Sequence, residues 1–408
     1  MERVYERCCG LDVHKLRVVA CVRTPGPRRS RSDVRTFGTT TSELLRLSDW
    51  LTEEGCTHVA MESTGVYWKP VFNVLEGVFE VLLVNAQHIK AVPGRKTDVK
   101  DCEWIADLLE HGLLKASFIP PEPIRDLRDL TRYRKTLIRE RASEVNRIQK
   151  LLETANIKLA SVATDVVGAS GRAILKALIS GDRDAAHMAD LAKGTLRAKR
   201  GDLMQALSGR FRDHHAFLIR QMLTHVEELE RRIEECSARV AECMVPFALE
   251  RTLLETIPGV GRITAEALIA EMGVDMTCFP SSAHFASWAG LCPGNNESAG
   301  KRKSGRIRKG NVWLKTALVE AALAAKKQRH TYLAALGRRI GGRRGAKRAT
   351  IAVAHSIGVA AWHILAGAQP YHDLGPRHFD NLAGDRLRRH YVRRLRDLGF
   401  NVTLEAAA

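Results

Sequence analysis

The chain has 408 residues, an apolar content of 45% and a formal net charge of +18 at neutral pH. This length allows two or three domains with sizeable cores, and the apolar content excludes a wholly disordered chain. The positive charge predicts a polyanionic partner, because it attracts nucleic acids or anionic membranes whatever their sequence. Between residues 301 and 348 there are sixteen lysines and arginines against a single acid, Glu320, so much of the charge is concentrated in one segment.

Two further features of the composition concern the compartment. No apolar run approaches the ~20 residues that span a bilayer, and the first ten residues, MERVYERCCG, lack the apolar core of a signal peptide. The nine cysteines form no CxxC pair and no array with zinc-ligand spacing, and their odd number argues against a disulfide framework. We therefore predict a cytoplasmic, nucleoid-associated protein with no membrane partner and with buried or free thiols.

Residues 1–122 alternate between strand and helix patterns. ERCCGLDVHKLRVVACVRTPG predicts two strands joined tightly around Val13 to Lys15, with Asp12 at the end of the first strand. A helix over 42–54 follows, then the strand THVAMES, an amphipathic helix in VYWKPVFNVLEG and the buried strand FEVLLVN. KTDVKDCEWIADLLEHG predicts a further helix that ends at Gly112. This alternation favours an α/β domain with a mixed sheet.

Beyond the prolines at 120, 121 and 123 the patterns are helical. LRDLTRYRKTLIRERASEVNRIQKLLE predicts one long helix, and apolar residues from Met222 to Cys243 recur at spacings of four and three, as in a coiled coil. This seam packs either against the 124–154 helix or against a partner subunit, and the sequence leaves both open. An Ile-Pro-Gly-Val-Gly turn at 257–261 resembles a helix-hairpin-helix, which can bind phosphate, although such turns also simply join packed helices. The predicted regions are a helical coiled-coil and oligomerisation region at 123–246, a mainly helical domain at 247–348 and a basic helical tail at 349–408.

Four carboxylates of the α/β part form a candidate metal site. Asp12 and Glu62 each end a predicted strand. Asp98 and Asp101, at positions i and i+3, share one face of a helix, where two anions repel unless a cation bridges them. Divalent cations such as Mg²⁺ or Mn²⁺ take carboxylate oxygens together with substrate phosphates. Each residue also has an ordinary interpretation, as a helix cap, a first-turn residue, a turn residue or a solvated strand end.

Five motifs in this order carry a resemblance to a known family: GLDVHK, MESTGVYW, KTDVKDCEWIADLL, IPGVGRITAEALIAEMG and GLCPGNNESAGKRKSGRIRKGNVWLKTAL. They resemble those of the DEDD transposases of bacterial insertion sequences, insertion-sequence family one-ten. The resemblance covers roughly residues 5 to 345. It implies an N-terminal RuvC-like domain of ribonuclease H fold and a C-terminal transposase domain that carries a nucleophilic serine.

The same resemblance implies roles for individual residues. The metal-binding tetrad maps onto Asp12, Glu62, Asp98 and Asp101, and the serine maps onto Ser298 in ESAGK. Ala299 follows this serine where many members have glycine, and Cys102 follows Asp101 where alanine is usual; neither change removes a functional group. In the members so far understood, a structured bridge RNA pairs with donor and target DNA and guides the reaction.

The residues after Ser298 suit attack on a DNA phosphate. A serine hydroxyl is a weak nucleophile, so it needs a group that accepts its proton and cations that stabilise the transition state. Gly300, Gly305 and Gly310 would let the backbone approach a phosphate closely. Ser304 is the rival nucleophile, and without the resemblance Ser298 would be an ordinary loop serine. The predicted nucleic-acid contacts are Lys301, Arg302, Lys303, Arg306, Arg308 and Lys309.

The expected function is that of an RNA-guided DNA recombinase or transposase that acts as a dimer or tetramer on donor and target DNA. Its active site could combine the tetrad of one subunit with the serine of another. Two alternatives stay open. The first is a metal-dependent endonuclease of Holliday-junction-resolvase type without serine chemistry, and the second is a non-catalytic nucleic-acid-binding protein. The tail from Ala349 onwards has no motif to which we assign a role.

Overall fold

The structure is a computed structural model. It describes residues 3–26, 30–63, 65–85, 101–294, 296–298, 301–382 and 384–404, and excludes the side chains of 296–298, 301–304 and 385–387. The chain divides into two compact units, Met1–Ile119 and Pro120–Ala408. The division lies beside the run of prolines that ends the α/β patterns. The finer subdivision of the second unit stays a prediction.

The described residues of the first unit form a five-stranded mixed sheet of order β3-β2-β1-β4-β5. Its strands are β1 (Cys8–Val13), β2 (Arg17–Thr24), β3 (Arg31–Gly38), β4 (His58–Glu62) and β5 (Glu80–Val84). Strands β1, β2 and β3 pair in antiparallel fashion, whereas β4 is parallel to β1 and β5 is parallel to β4. The predicted fold class, a mixed sheet with flanking helices followed by a mainly helical remainder, is confirmed.

Strand β3 is an element that the sequence patterns do not predict. It forms the edge of the sheet and pairs only with β2 among the described strands. Most of its residues, RSDVRTFG, are exposed or half-buried, and Phe37 alone is buried, 5.6 Å from the ring of Trp50. A polar edge strand lacks the apolar alternation that identifies a strand in a sequence, and its charges hinder pairing with other chains.

Helices cover both faces of this sheet. Helices α1 (Thr41–Glu53) and α2 (Trp68–Leu75) contribute to one apolar core, and α3 (Asp101–Glu110) contributes to the other. The first core includes Leu11, Leu47, Leu51, Met61 and Leu75. The second includes Cys8, Ala60, Val84, Ile105 and Leu108. Because side chains alternate along a strand, Cys8 and Leu11 lie on opposite faces of β1. Burial of each leucine stabilises the unit by about 1.5–3 kcal/mol.

The second unit is helical apart from one described hairpin. Its helices are α4 (Glu122–Thr154), α5 (Leu159–Val162), α6 (Ala169–Ser180), α7 (Ala185–Asp190), α8 (Arg200–Leu207), α9 (Asp213–Cys243), α10 (Ala248–Glu255), α11 (Arg262–Met272), α12 (Ser282–Trp288), α13 (Val312–Ala325), α14 (Tyr332–Arg344), α15 (Ala346–Gly367), α16 (His378–Leu382) and α17 (Gly384–Asp397). Short 3₁₀ turns occur at Gly194–Lys199, Val245–Phe247 and Met276–Cys278. The hairpin consists of β6 (Asn296–Ser298) and β7 (Lys301–Ser304).

The two longest helices, α4 and α9, pack side by side in opposite directions. The thiol of Cys236 donates to the carbonyl of Leu130 at 3.4 Å, and Glu230 pairs with Arg141 at 2.7 Å further along both helices. The buried residues of the predicted seam are Val226, Leu229, Cys236 and Val240. Of the two alternatives that the sequence leaves open, packing within the chain accounts for the burial of these residues.

Helix α15 bears on the expectation that no segment spans a membrane. By length and composition it could cross a membrane, and it is the one helix among the described residues that passes this test. His355 and His363 interrupt the apolar residues of this helix, so no long apolar run is visible in the sequence. The mean hydropathy of the helix is nevertheless high. Its buried residues include Val353, Ile357 and Ile364, as in the core helix of a folded unit. One such helix is weak support for a membrane span.

Candidate active site

The carboxyl ends of β1 and β4 place two carboxylates side by side. These strands are parallel neighbours with Leu11 opposite Met61, so the same register leads to Asp12 and Glu62 at the next position. Neighbouring strands lie about 4.8 Å apart, and residues at matching positions point to the same face. Both side chains are half-buried, so they lie at the rim of the core and within reach of a ligand.

Helix α3 brings a third carboxylate to this face. The helix crosses β1 at Gly10, where a Cβ atom would lie 2.3 Å from the carbonyl oxygen of Cys102 and 2.4 Å from the nitrogen of Ala106. Asp12 is two residues beyond Gly10, so its side chain lies on the face that α3 covers. Asp101 is exposed and begins α3, directly before Cys102. The close contact at Gly10 therefore sets the start of α3 beside the end of β1.

These carboxylates fit a divalent cation by the chemistry of their donor atoms. Asp12, Glu62 and Asp101 supply oxygen atoms on one face of the sheet, and Mg²⁺ and Mn²⁺ prefer such ligands. The fourth predicted member, Asp98, lies outside the described residues. Among the described residues, the ligand atoms of the other three are not all within 4.8 Å of one another. Binding one shared ion would therefore require side-chain rotation.

His14 contacts the candidate site directly. Its Nε2 lies 3.0 Å from Oδ2 of Asp12, and its backbone N–H donates to the carbonyl of Arg17 at 2.9 Å. The second bond closes the turn between β1 and β2. The first gives the Asp12 carboxylate a hydrogen-bond partner that restricts its rotation, because a ring N–H can donate to the carboxylate oxygen. His14 is therefore a positioning residue for Asp12.

A second acidic group lies further along α3. Ligand atoms of Asp107, Glu110 and His111 lie within 4.8 Å of one another, a spacing that could hold a metal ion. However, Arg23 lies 3.1 Å from Asp107 and 3.0 Å from Glu110, and Arg3 lies 3.2 Å from Glu110. Two guanidinium groups already neutralise these carboxylates and would repel a cation. We therefore assign this cluster to ion pairing between β2, α3 and the N-terminal segment.

The nine cysteines, all of which lie among the described residues, are free as predicted. Burial raises the pKa of the thiols of Cys8 and Cys21 to about 12, so both are protonated at neutral pH and are poor nucleophiles. Burial also raises the pKa of Cys102, and the carboxylates of Glu103 and Asp12 raise it further. The contribution of Asp12 is consistent with its position beside the first turn of α3.

Ser298 ends strand β6 of the hairpin in the second unit. It lies opposite Lys301 in the antiparallel register, and the pairing continues at the base, where the Gly294 N–H donates to the Arg306 carbonyl at 2.8 Å. The sequence patterns do not predict these strands, because the segment is short, polar and rich in glycine rather than alternating. The backbone of Ser298 is thus part of a paired strand and not of an irregular loop.

The predicted nucleic-acid contacts follow Ser298 along this hairpin. Lys301, Arg302 and Lys303 lie in β7, and their side chains lie outside the described part of the structure. Arg306, Arg308 and Lys309 follow the hairpin with exposed side chains. The described cations therefore form a charged surface on the chain segment next to the serine strand.

Two of the predicted phosphate-approach features have a packing role instead. A Cβ atom on Gly310 would lie 2.5 Å from the nitrogen of Gly290, so Gly310 is required where two backbone segments touch. Gly259, in the turn between α10 and α11, has φ of +89°, and a Cβ there would lie 2.4 Å from the carbonyl oxygen of Ala321. Of the two interpretations of this turn, the structure supports packed helices, because Gly259 is pressed against α13.

Comparison with known proteins identifies two family matches in this chain. A DEDD transposase model of the IS110 type matches residues 9–157, which include Asp12, Glu62, Asp98 and Asp101. The model described as the transposase IS116/IS110/IS902 family matches residues 251–336, which include Ser298. Together the two matches cover more than half of the chain.

Three individual proteins similar to this chain are named as transposases or as a protein of an insertion element. The chain is 24% identical over 300 residues to the transposase for insertion sequence element IS1111A of Coxiella burnetii, a match that covers 71% of this chain and 72% of that protein. It is 32% identical over 125 residues to the putative transposase y4pF/y4sB of Sinorhizobium fredii, covering 29% of this chain and 32% of that protein. It is 43% identical over 74 residues to an uncharacterised 43.6 kDa protein of insertion element IS110 from Streptomyces coelicolor, covering 18% of each chain.

Proposed function

Because the chain belongs to the IS110 family of transposases, enzymes that cleave and transfer DNA, we propose that it excises and inserts an insertion sequence by RNA-guided recombination. The observation that carries the proposal is the shared face of Asp12, Glu62 and Asp101 at the carboxyl edge of the sheet. Family membership also favours an enzyme over the non-catalytic alternative.

The tetrad has the metal-binding role in this proposal. Asp12, Glu62 and Asp101, together with Asp98, would hold Mg²⁺ or Mn²⁺. When bound, such ions stabilise the charge that develops on the attacking and leaving oxygens of phosphoryl transfer. His14 restricts the Asp12 carboxylate through the 3.0 Å contact with Oδ2. Because Asp12 and Glu62 are only half-buried, a DNA phosphate can approach them from solvent.

The hydroxyl of Ser298 is the nucleophile. Its Oγ forms a bond to the scissile phosphorus and gives up its proton, and the phosphorus–oxygen bond to the leaving nucleotide breaks. The departing sugar oxygen takes the electron pair of the broken bond and a proton. The other DNA end stays joined to the serine as a phosphodiester, so a second DNA hydroxyl can displace the serine without any external energy source. Arg306, Arg308 and Lys309 lie close along the chain and stabilise the negative charge of the phosphate.

The proposal requires both compact units to act on one phosphate, because the carboxylates belong to the first and the serine to the second. The two parts come either from one subunit or from two subunits of an oligomer. The sixteen basic residues between 301 and 348 provide more positive charge than a single scissile phosphate requires. This excess supports an extended complex with donor DNA, target DNA and a structured guide RNA.

The RNA-guided part is tested by recombination between two plasmids. Purified full-length protein, Mg²⁺, donor and target plasmids, and RNA transcribed from the flanks of the element are mixed, and the joined DNA is amplified and sequenced. We expect junctions only when the RNA is present, and we expect changes in its guide segment to redirect the target. Junctions formed equally well without RNA would contradict guidance but not recombination.

A metal-dependent endonuclease of Holliday-junction-resolvase type is the second candidate. The placement of the carboxylates alone favours it, since such an enzyme needs no serine. It would release hydrolysed ends from branched DNA and would form no joined product in the same assay.

A further inference from the structure

Helices α14 and α15 and the base of the hairpin of β6 and β7, here called the serine hairpin, line an open groove with a volume of about 970 Å³. Its floor contains apolar side chains that stay half-exposed, namely Leu336, Ile340 and Ile351. The segment that directly follows β7 contributes Gly305 and Ile307 to the same groove, and Ile307 pairs with Pro293 just before β6. The groove therefore begins at the base of the hairpin that carries Ser298.

Cations form the rim of this groove. Arg343, Arg344, Lys347 and Arg348 all line it, and all four have exposed side chains. The lining includes no aspartate or glutamate. Within the part of the chain that the structure describes, no ion pair engages any of the four. The apolar floor is thus bordered by positive charge that no carboxylate of these described residues neutralises.

The corner between the two helices adds a second feature suited to an anion. Gly345 joins α14 to α15 with φ of +82°, and no side chain caps the first N–H groups of α15. Lys347 and Arg348 lie in the first turn, where the helix dipole disfavours positive charge. An anion bound at this corner would accept hydrogen bonds from the free N–H groups and would relieve the repulsion.

We propose that this groove holds a single strand of DNA beside the serine hairpin, with phosphates at the cationic corner and bases on the apolar floor. A duplex hides the faces of its bases, so a floor of leucine and isoleucine side chains offers it little, whereas unstacked bases bury apolar surface there. The groove takes DNA rather than RNA because Gly305 directly follows β7, which pairs with the strand that carries Ser298, and the proposed substrate of Ser298 is DNA. This assignment of the strand rests on the proposed function.

The test measures binding separately from chemistry. Full-length Ser298→Ala protein in EDTA is titrated against a fluorescein-labelled ten-nucleotide single strand at several salt concentrations, and anisotropy gives the dissociation constant. We expect Arg344→Ala/Lys347→Ala/Arg348→Ala to weaken binding at least about tenfold at 0.15 M salt. The slope of log K against log salt should fall by about 2, since each lost phosphate contact contributes about 0.7 on a single strand.

A matched variant removes the same charge elsewhere. Lys327, Arg329 and Arg338 are exposed and do not line the groove. Lys327→Ala/Arg329→Ala/Arg338→Ala should therefore lose less than about threefold in affinity. An abasic strand of equal length should bind the unaltered groove about tenfold more weakly than the natural strand, since the natural bases bury apolar surface against the floor. Thermal unfolding of every variant checks that its fold is retained.

Three outcomes would overturn the proposal: equal losses in the two triple variants, equal affinity for abasic and natural strands, or displacement of the strand by duplex DNA or single-stranded RNA at lower concentration. Because the assay contains neither metal nor the serine hydroxyl, its outcome does not depend on the chemistry of Ser298. If the single strand binds in the groove but no covalent protein–DNA intermediate forms, only the serine mechanism is contradicted. If a covalent intermediate forms but the single strand does not bind in the groove, only the proposed role of the groove is contradicted.

Discussion

Asp12→Asn is expected to lower DNA strand cleavage by on the order of 10³-fold, because charge stabilisation by a bound metal ion contributes several kcal/mol to phosphoryl transfer. Glu62→Gln should behave alike, since the parallel register brings Glu62 to the same edge of the sheet. Both substitutions keep the size of the side chain and remove one negative charge, so DNA affinity should not decrease. Single-turnover cleavage of labelled donor DNA in Mg²⁺, together with a binding titration in EDTA, measures the two quantities.

Asp107→Asn is the matched control for this result. Asp107 is a carboxylate of the same compact unit, and it lies in the acidic group on α3 that two arginines neutralise. Its substitution should leave cleavage within about threefold of the wild-type rate, because its partly exposed ion pair with Arg23 contributes little. Loss of cleavage in Asp107→Asn with retention in Asp12→Asn would move the metal site to the Asp107 cluster.

Glu271→Ala is expected to destabilise the second unit by about 3–5 kcal/mol, the usual cost of removing one partner from a buried ion pair. Glu271 is 2% exposed, and its carboxylate accepts bonds from Arg132 at 2.7 and 2.8 Å and from the Asn311 amide at 2.6 Å. Burial lowers the pKa of Arg128, whose Nε lies 3.6 Å from the same carboxylate. Without Glu271, two guanidinium groups would remain without their countercharge.

The loss extends to the start of α13 through Asn311. This residue caps α13 by accepting bonds from the N–H groups of Trp313 and Leu314, and Glu271 holds its amide in place. Chemical denaturation of full-length protein gives the free-energy change. As a control, Glu242→Ala removes an equally short, 2.7 Å pair with Arg239 that is exposed on both sides, and it should cost less than about 1 kcal/mol. Equal losses of unfolding free energy in the two variants would show that the contacts of Glu271 stabilise the second unit no more than an exposed ion pair does.

The elements that carry Asp12 and Glu62 are predictable because each ends a run of buried apolar residues. That Asp12 and Glu62 lie at the same edge of the sheet is harder to predict from the sequence. It depends on the register of β1 against β4, two strands about fifty residues apart, and on the close approach of α3 at Gly10. Local patterns state that a strand exists and where it ends, but they contain no information on which strands become neighbours. The resemblance to the DEDD transposases assigns Asp12 and Glu62 to one tetrad, which is why they are expected to lie together.

Other features left no periodic signal. Strand β3 is a polar edge strand, and the serine hairpin is built from short polar segments, so neither has apolar alternation. The arginines of α4 that bind Glu266 and Glu271 look like a solvated face in the sequence, yet Arg134 is 3% exposed in its 2.7 Å pair with Glu266. The basic residues around Gly345 are visible in the sequence as charge. Their arrangement around an apolar groove appears only when α14 and α15 fold against each other.

The most direct test of the mechanism is to locate the bond between protein and DNA. Full-length protein is incubated with Mg²⁺, guide RNA and donor and target DNA and then denatured. The DNA is trimmed with nuclease, and the modified peptide is sequenced by mass spectrometry. The account predicts a nucleotide joined to Ser298, absent in Ser298→Ala, retained in Ser304→Ala and strongly reduced in Asp12→Asn. Cleaved DNA without any adduct, still produced by Ser298→Ala, would contradict it and leave a metal-dependent nuclease.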